Sequence, residues 1–317
     1  MQLLIASGAA IVLFLYGLQG FSRELQEVGG DTLRRWISGV TDSRLGGFCV
    51  GAAATAIVQS SSAVTSLATA LVDSGVISFR GSLGILLGAN VGTTATAWLV
   101  SFKLTGIGPW FLLVGALVSA LPVRVSVAGK AVFYFGLIFF SLDLISAALG
   151  PLREFEIVHE LLALATTPWL GALIGIVITA IIQSSSVTTG LAILLVQQGT
   201  LPPEAAIALV IGANVGSTST ALMASLGLGA AARATAIANL LFNVSGLLLL
   251  LPFLGSFSRA LAAAINDPGK AVAAAHLLFN VGIGALFLAA LGVIEPGLRR
   301  WLIPREVPSL PLGRGSN

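Results

Sequence analysis

The chain predicts an all-α integral membrane protein built from two inverted repeats, each with a re-entrant helical hairpin, and about seven full transmembrane helices besides. Three observations predict it. The 317 residues are 56% hydrophobic and 9% charged, with a mean hydropathy of +0.99, whereas a soluble domain carries roughly a quarter charged residues. A block of 43 residues, 55–97, recurs 124 positions later without a gap, with 21 of the 43 positions identical. Both copies carry clustered hydroxyls and amides inside apolar sequence, where such groups are costly unless something binds them.

Taken in chain order, the apolar run 3–21 lacks a basic segment ahead of it and is long enough to span a bilayer. It reads as a retained first helix rather than a signal peptide. Residues 31–40, with Arg34, Arg35 and Trp36, read as a short interfacial helix. Full crossings follow at 82–100, 108–123, 131–149, 204–226, 234–254 and 271–293. The stretches 46–72 and 171–196 carry Gln-Ser-Ser-Ser at their middles. A half of about 13 residues rises only about 20 Å, against a hydrocarbon core of about 30 Å. Each stretch therefore suits a hairpin whose turn lies near mid-membrane, although one long tilted span also fits.

Two consequences bear on that choice. With the N-terminus outside, hairpins place twelve Lys and Arg residues on the cytoplasmic side and four outside, while full spans give eleven and five. Both obey the positive-inside rule, so charge barely separates them. Hairpins leave three crossings between the two blocks and make the repeats inverted, the usual plan around a central site. The organisation is then a first repeat over 1–124 with its hairpin at 46–72, and a second over 125–254 with its hairpin at 171–196. A further transmembrane helix lies within 255–294 and a disordered cytoplasmic tail over 295–317. Fainter echoes join 14–22 to 133–141, and Asn239-Leu240-Leu241-Phe242-Asn243 to His276-Leu277-Leu278-Phe279-Asn280.

The net charge of +3 is no nucleic-acid signal, because the basic residues lie between apolar runs. A single cysteine, Cys49, excludes an intramolecular disulfide and reads as a small packing residue. His159 and His276 are too few and too far apart in sequence to suggest a metal site. No enzyme constellation stands out. An intramembrane serine protease needs a Ser–His pair, and a duplicated tetrad has no purpose in a single-site hydrolase.

The chemistry lies in the tetrads Gln59-Ser60-Ser61-Ser62 and Gln183-Ser184-Ser185-Ser186. A second hairpin limb starting at the serines presents free backbone N–H groups, and helix N-termini attract anions. Serine hydroxyls add short donors suited to a tetrahedral oxyanion. Neither tetrad contains Lys or Arg, so dipoles and a co-bound cation would hold the anion and release it when that cation leaves. The same hydroxyls, with Gln59 and Gln183, are hard oxygen ligands suited to Na⁺. Asn90 and Asn214 lie in Gly-Ala-Asn-Val-Gly segments, whose glycines permit either unwinding or close helix approach. Thr93, Thr94, Ser217 and Thr218 follow one turn on.

Bland readings compete. A Gly-xxx-Gly pair is most often helix packing, and a lone Ser or Thr in a membrane helix bonds its own i−4 carbonyl. Three serines after a glutamine, occurring twice, do not all hide that way on one face. Asn239, Asn243, His276 and Asn280 divide evenly between interhelical bonding and a role near the site. Asp143 reads as interfacial.

These tetrads, each followed by a Gly-Ala-Asn-Val-Gly segment, resemble the type II sodium-dependent phosphate cotransporter family over nearly the whole chain. Phe242-Asn243 and Phe279-Asn280 resemble its His-x-Phe-Phe-Asn elements, with Asn239 where the family often has histidine. Its bacterial members often carry a soluble C-terminal domain resembling PhoU, and this sequence ends without one, as a short or truncated member would. The resemblance implies Na⁺-coupled phosphate symport by alternating access in the inner (plasma) membrane, with the C-terminus cytoplasmic. It implies phosphate contacts at both tetrads, Asn90 and Asn214. The implied sodium ligands are Gln59, Gln183, Ser62, Ser186, Thr65, Thr189, Thr93, Thr94, Ser217 and Thr218. Inorganic phosphate, Na⁺ and the bilayer are then the partners, nucleic acid is not, and a homodimer is compatible. The residues alone leave open another small anion such as sulfate or a carboxylate, a channel, or a membrane scaffold.

Overall fold

The computed structural model describes residues 2–39, 43–102, 104, 106–121, 123–149 and 165–303. The described residues form α1 (Gln2–Ser38), α2 (Arg44–Val58), α3 (Ser61–Asp73), α4 (Phe79–Ser101), α5 (Gly108–Ser119), α6 (Val123–Leu149), α7 (Pro168–Ile182) and α8 (Ser185–Gln197). There follow α9 (Pro203–Ser225), α10 (Ala230–Leu250), a 3₁₀ turn (Leu251–Phe253), α11 (Leu254–Ala264) and α12 (Pro268–Leu302). Among them, six helical runs are long and apolar enough to cross a membrane: α1, α4, α6, α9, α10 through α11, and α12. The molecule is an all-α, multi-pass membrane protein.

Several expectations change. The stretch 31–40 is no separate interfacial helix, because α1 runs unbroken for 37 residues to Ser38. Its last turns are held by Leu33 and Ile37, buried against Val58, Val64 and Leu71. The expected crossing at 108–123 contains only the 12 residues of α5, a rise of about 18 Å. Residues 295–302 belong to α12 rather than to a tail. Cys49 is exposed instead of packed. The acidic loop with His159, and the tail from 304, lie outside the described residues.

The direction of each helix follows from its glycine contacts. The Cα of Gly84 packs against the carbonyl of Arg44, Gly88 against that of Phe48, and Gly92 against that of Ala52. So α2 and α4 run side by side in the same direction, offset by 40 residues. Missing Cβ atoms permit this closeness, since a methyl at any of the three would strike backbone. Only five residues, 74–78, join α3 to α4, and they reach at most about 18 Å. Were α3 to continue along α2, the loop would have to return about 42 Å. Hence α3 doubles back. The second block repeats the register, with Gly212 against the carbonyl of Ala172 and Gly216 against that of Ile176.

The two blocks point opposite ways. Helix α10 lies along α4 in the same direction, because Ser82 meets Thr235 at 3.2 Å and Asn90 meets Asn243 at 3.4 Å, both 153 positions apart. Helix α9 packs on α10 after a connection of only four residues, 226–229, so it runs antiparallel to α10 and therefore to α4. The blocks also interlock: α3 packs on α9 and α10, while α8 packs on α4 and α12.

Candidate functional site at the two Gln-Ser turns

Gln59 and Gln183 are, among the described residues, the two non-glycine positions with positive φ, at 57° and 61°. Each ends a helix in the left-handed conformation, its N–H donating to the carbonyl of Thr55 at 2.7 Å or Thr179 at 2.6 Å. The next residue is extended, with φ −147° at Ser60 and −145° at Ser184, and α3 or α8 begins one residue later. One left-handed residue and one extended residue thus make each turn. An L-residue costs about 1–2 kcal/mol in the left-handed region, and such outliers gather at functional sites.

The first amides of α3 and α8 have no partner within their own helices. In the first turn the Ser60 hydroxyl accepts from the Ala63 N–H at 3.2 Å. In the second, Ser184 makes no side-chain cap, so Val187 N–H joins the free donors. Ser185 and Ser186 are buried, Ser61 and Ser62 half-buried. Ser22 on α1 braces the first turn from behind, donating to the last α2 carbonyl, Val58, at 2.9 Å.

The turns meet through α4. Thr96 donates to Gln59 Oε1 at 2.8 Å, and the Ser186 hydroxyl approaches Thr96 Oγ1 at 3.4 Å. One threonine therefore joins the glutamine of one tetrad to a serine of the other. The amide nitrogen of Gln59 is turned back to the Ala56 carbonyl, which fixes its oxygen toward Thr96. The second turn is looser. Thr220, the repeat mate of Thr96, donates to the Gln183 backbone carbonyl at 3.4 Å, and the exposed Gln183 side-chain amide donates to Met223 Sδ at 3.8 Å. Behind it Thr179 donates to Thr188 at 2.8 Å. Position 64, the counterpart of Thr188, is valine, and the buried Thr55 hydroxyl has no partner.

Most of the other expected residues already hold partners. Helices α4 and α9 run unbroken through both Gly-Ala-Asn-Val-Gly segments, so the glycines serve close approach rather than unwinding. Asn90 lies six residues before Thr96, about 9 Å along the helix, and donates to Asn243, whose amide donates to Asn239. Asn214 pairs with His276 at 3.1 Å, leaving Asn214 Nδ2 and His276 Nδ1 buried without partners. Thr65, Thr93, Thr94, Ser217 and Thr218 donate to carbonyls of their own helices. A hydroxyl that donates still carries lone pairs of its own. The Thr189 hydroxyl is buried without a partner. Asp143 accepts from Gly106 N–H at 3.0 Å. Thr96 and Ser22 escaped the sequence reading. Both had a signal, since Thr96 matches Thr220 within the repeat and Ser22 matches Ser141 in the fainter echo.

Polar groups at the turns are thus neutral oxygens and backbone donors, suited to a small oxyanion with a hard monovalent cation. The profile of a family described as Na+/Pi-cotransporter matches residues 13–147 and 153–295. The chain belongs to the Na+/Pi-cotransporter family. A Bacillus subtilis protein named uncharacterized protein YqeW is 35% identical over 275 residues, 86% of this chain and 89% of that protein. The putative inorganic phosphate export protein YjbB of Escherichia coli K12 is 33% identical over 248 residues, 77% of this chain but 46% of that protein. The chain thus spans under half of that relative's length. Human sodium-dependent phosphate transport protein 2B is 32% identical over 98 residues, 30% of this chain and 14% of that protein. No solved structure matches. Membership places the chain in a family of membrane phosphate transporters.

Proposed function

We propose that the protein is a sodium-coupled symporter of inorganic phosphate that works by alternating access. In this reading 1–124 and 125–254 act as inverted repeats, and the hairpins α2–α3 and α7–α8 enter the membrane from opposite sides. Helix α12 then stands to α9 as α10 stands to α4, carrying His276-Leu-Leu-Phe-Asn280 as α10 carries Asn239-Leu-Leu-Phe-Asn243. Phosphate sits between the turns, on the amides and hydroxyls of Ser60, Ser61, Ser62, Ser184, Ser185 and Ser186. Sodium takes Gln59, Gln183 and neighbouring threonine oxygens, and its departure loosens an anion that no permanent cation holds. The N-terminus is outside and the C-terminus cytoplasmic.

One observation carries the reading: Thr96 bonds Gln59 of one block and meets Ser186 of the other. Rocking one block against the other must remake that contact, so ion binding and movement share atoms. Proteoliposomes with an inward Na⁺ gradient should accumulate labelled phosphate, and uptake indifferent to Na⁺ would sink the coupling. Ser61→Ala or Ser185→Ala should depress uptake far more than Thr69→Ala, whose hydroxyl serves its own helix. Competition by sulfate or a carboxylate as effective as by phosphate would overturn the substrate. A second reading, net export, is favoured by the name of the E. coli relative; reversing the gradients in the same vesicles tests it.

A further inference from the structure

We propose that a cavity among α1, α5 and α6 binds the headgroup of phosphatidylethanolamine, with the lipid ammonium on Glu24. The site is separate from the turns and independent of which ion the protein carries.

Helices α1 and α6 run antiparallel in tight contact, with Gly17 against Ile138 and Gly20 against the Tyr134 ring. Glu24 therefore lies level with Lys130. Gly129 packs against the amide of Ser119, bringing the end of α5 to the same place. Between them is a cavity of about 390 Å³ lined by Arg23, Glu24, Glu27, Ser119, Lys130 and Tyr134. Glu24 is only 5% exposed, and its Oε2 has no hydrogen-bond partner. A buried carboxylate oxygen without a donor is an expensive arrangement that a cationic N–H donor would relieve. The basic groups do not supply one. Among the described residues the one ion pair is Arg23 with Glu27 at 3.6 Å, with side chains 80% and 47% exposed. Lys130 is exposed and forms no ion pair with Glu24.

The charges are ordered, with the Glu24 carboxylate at depth and, at the rim, Lys130 beside the Arg23–Glu27 pair. Phosphatidylethanolamine presents the complementary order, ammonium at its tip and phosphate behind it. The ammonium would offer three N–H donors to Glu24, while Lys130, joined by Arg23 once it leaves Glu27, would hold the phosphate. Phosphatidylglycerol lacks the cation, and phosphatidylcholine has a cation but no N–H. The level also fits, since the apolar stretch of α1 ends at Glu27 and that of α6 begins at Ser126. Beside the cavity, Leu113, Leu117 and Leu121 are exposed and offer an apolar flank to acyl chains.

The test is native mass spectrometry of the full chain, released from mixed micelles holding equal phosphatidylethanolamine, phosphatidylcholine and phosphatidylglycerol. Retention of phosphatidylethanolamine should exceed that of phosphatidylcholine about 10-fold, the size of one charge-assisted hydrogen bond. Glu24→Gln should abolish that preference. Lys130→Met, a surface change, should weaken retention of phosphatidylethanolamine and so tests the site even if Glu24→Gln does not fold. Equal retention of the three lipids would overturn the proposal, as would a preference that survives Glu24→Gln. So would a Glu24-dependent rise in thermal stability with Na⁺ alone and no lipid preference.

Discussion

Gln59 and Gln183 hold left-handed backbone that a glycine would adopt without strain, yet both positions keep a long amide side chain. The Gln59 oxygen accepts from Thr96, and the same threonine meets Ser186 across the blocks. Thr96→Val keeps the shape and removes both contacts. The Gln59 bond contributes about 0.5–1.5 kcal/mol and the longer Ser186 contact little, so the half-saturating phosphate or Na⁺ concentration in vesicle uptake should rise about 2- to 13-fold. Thr69→Val should change it less than about twofold, because that hydroxyl bonds only the Thr65 carbonyl. Equal effects would remove Thr96 from the site. The tetrads were legible in the sequence because three adjacent serines after a glutamine have no common packing role. Thr96 was not, although it recurs as Thr220, because a threonine in a membrane helix ordinarily bonds its own backbone, as Thr93 and Thr94 do here.

At the scale of elements, the repeated glycines hold each hairpin limb to its long helix. The register of 40 residues is the same in α2–α4 and α7–α9, so both turns reach the same point, beside Thr96 or Thr220. A methyl on Gly212 would strike the Ala172 backbone, whereas one on Gly282 would meet nothing within 4 Å. Overpacking of this kind costs about 1–3 kcal/mol, while glycine to alanine at an open helical site gains about 0.5–1 kcal/mol. Gly212→Ala should therefore lower the melting temperature in detergent, and Gly282→Ala should hold or raise it. A Gly212→Ala protein as stable as the parent would show that α7 and α9 are less closely packed. Sequence alone left these glycines between unwinding and packing, since both uses share the spacing. The unbroken helices decide for packing.

The largest scale concerns how the blocks face each other. Val76 lies just past the end of α3 and Pro202 just before α9, and both are exposed. In the inverted arrangement they face opposite sides of the membrane. An impermeant maleimide on intact cells should label Pro202→Cys and leave Val76→Cys unreacted until lysis, in a Cys49→Ser background. Labelling of both from one side would overturn the inversion. The sequence by itself determined the all-helical membrane class, the duplicated block and its polar centres. Hydrophobic runs and polar tetrads are local patterns, readable without knowing what they touch. Only the tertiary structure decided that α3 doubles back and that α4 and α9 oppose each other, because helix direction is set by contacts between residues 40 or 153 positions apart. It also decided that Asn90 bonds Asn243 and Asn214 bonds His276 on neighbouring helices. A buried amide takes whichever partner packing brings within 3 to 3.5 Å, and no spacing along one chain specifies that partner.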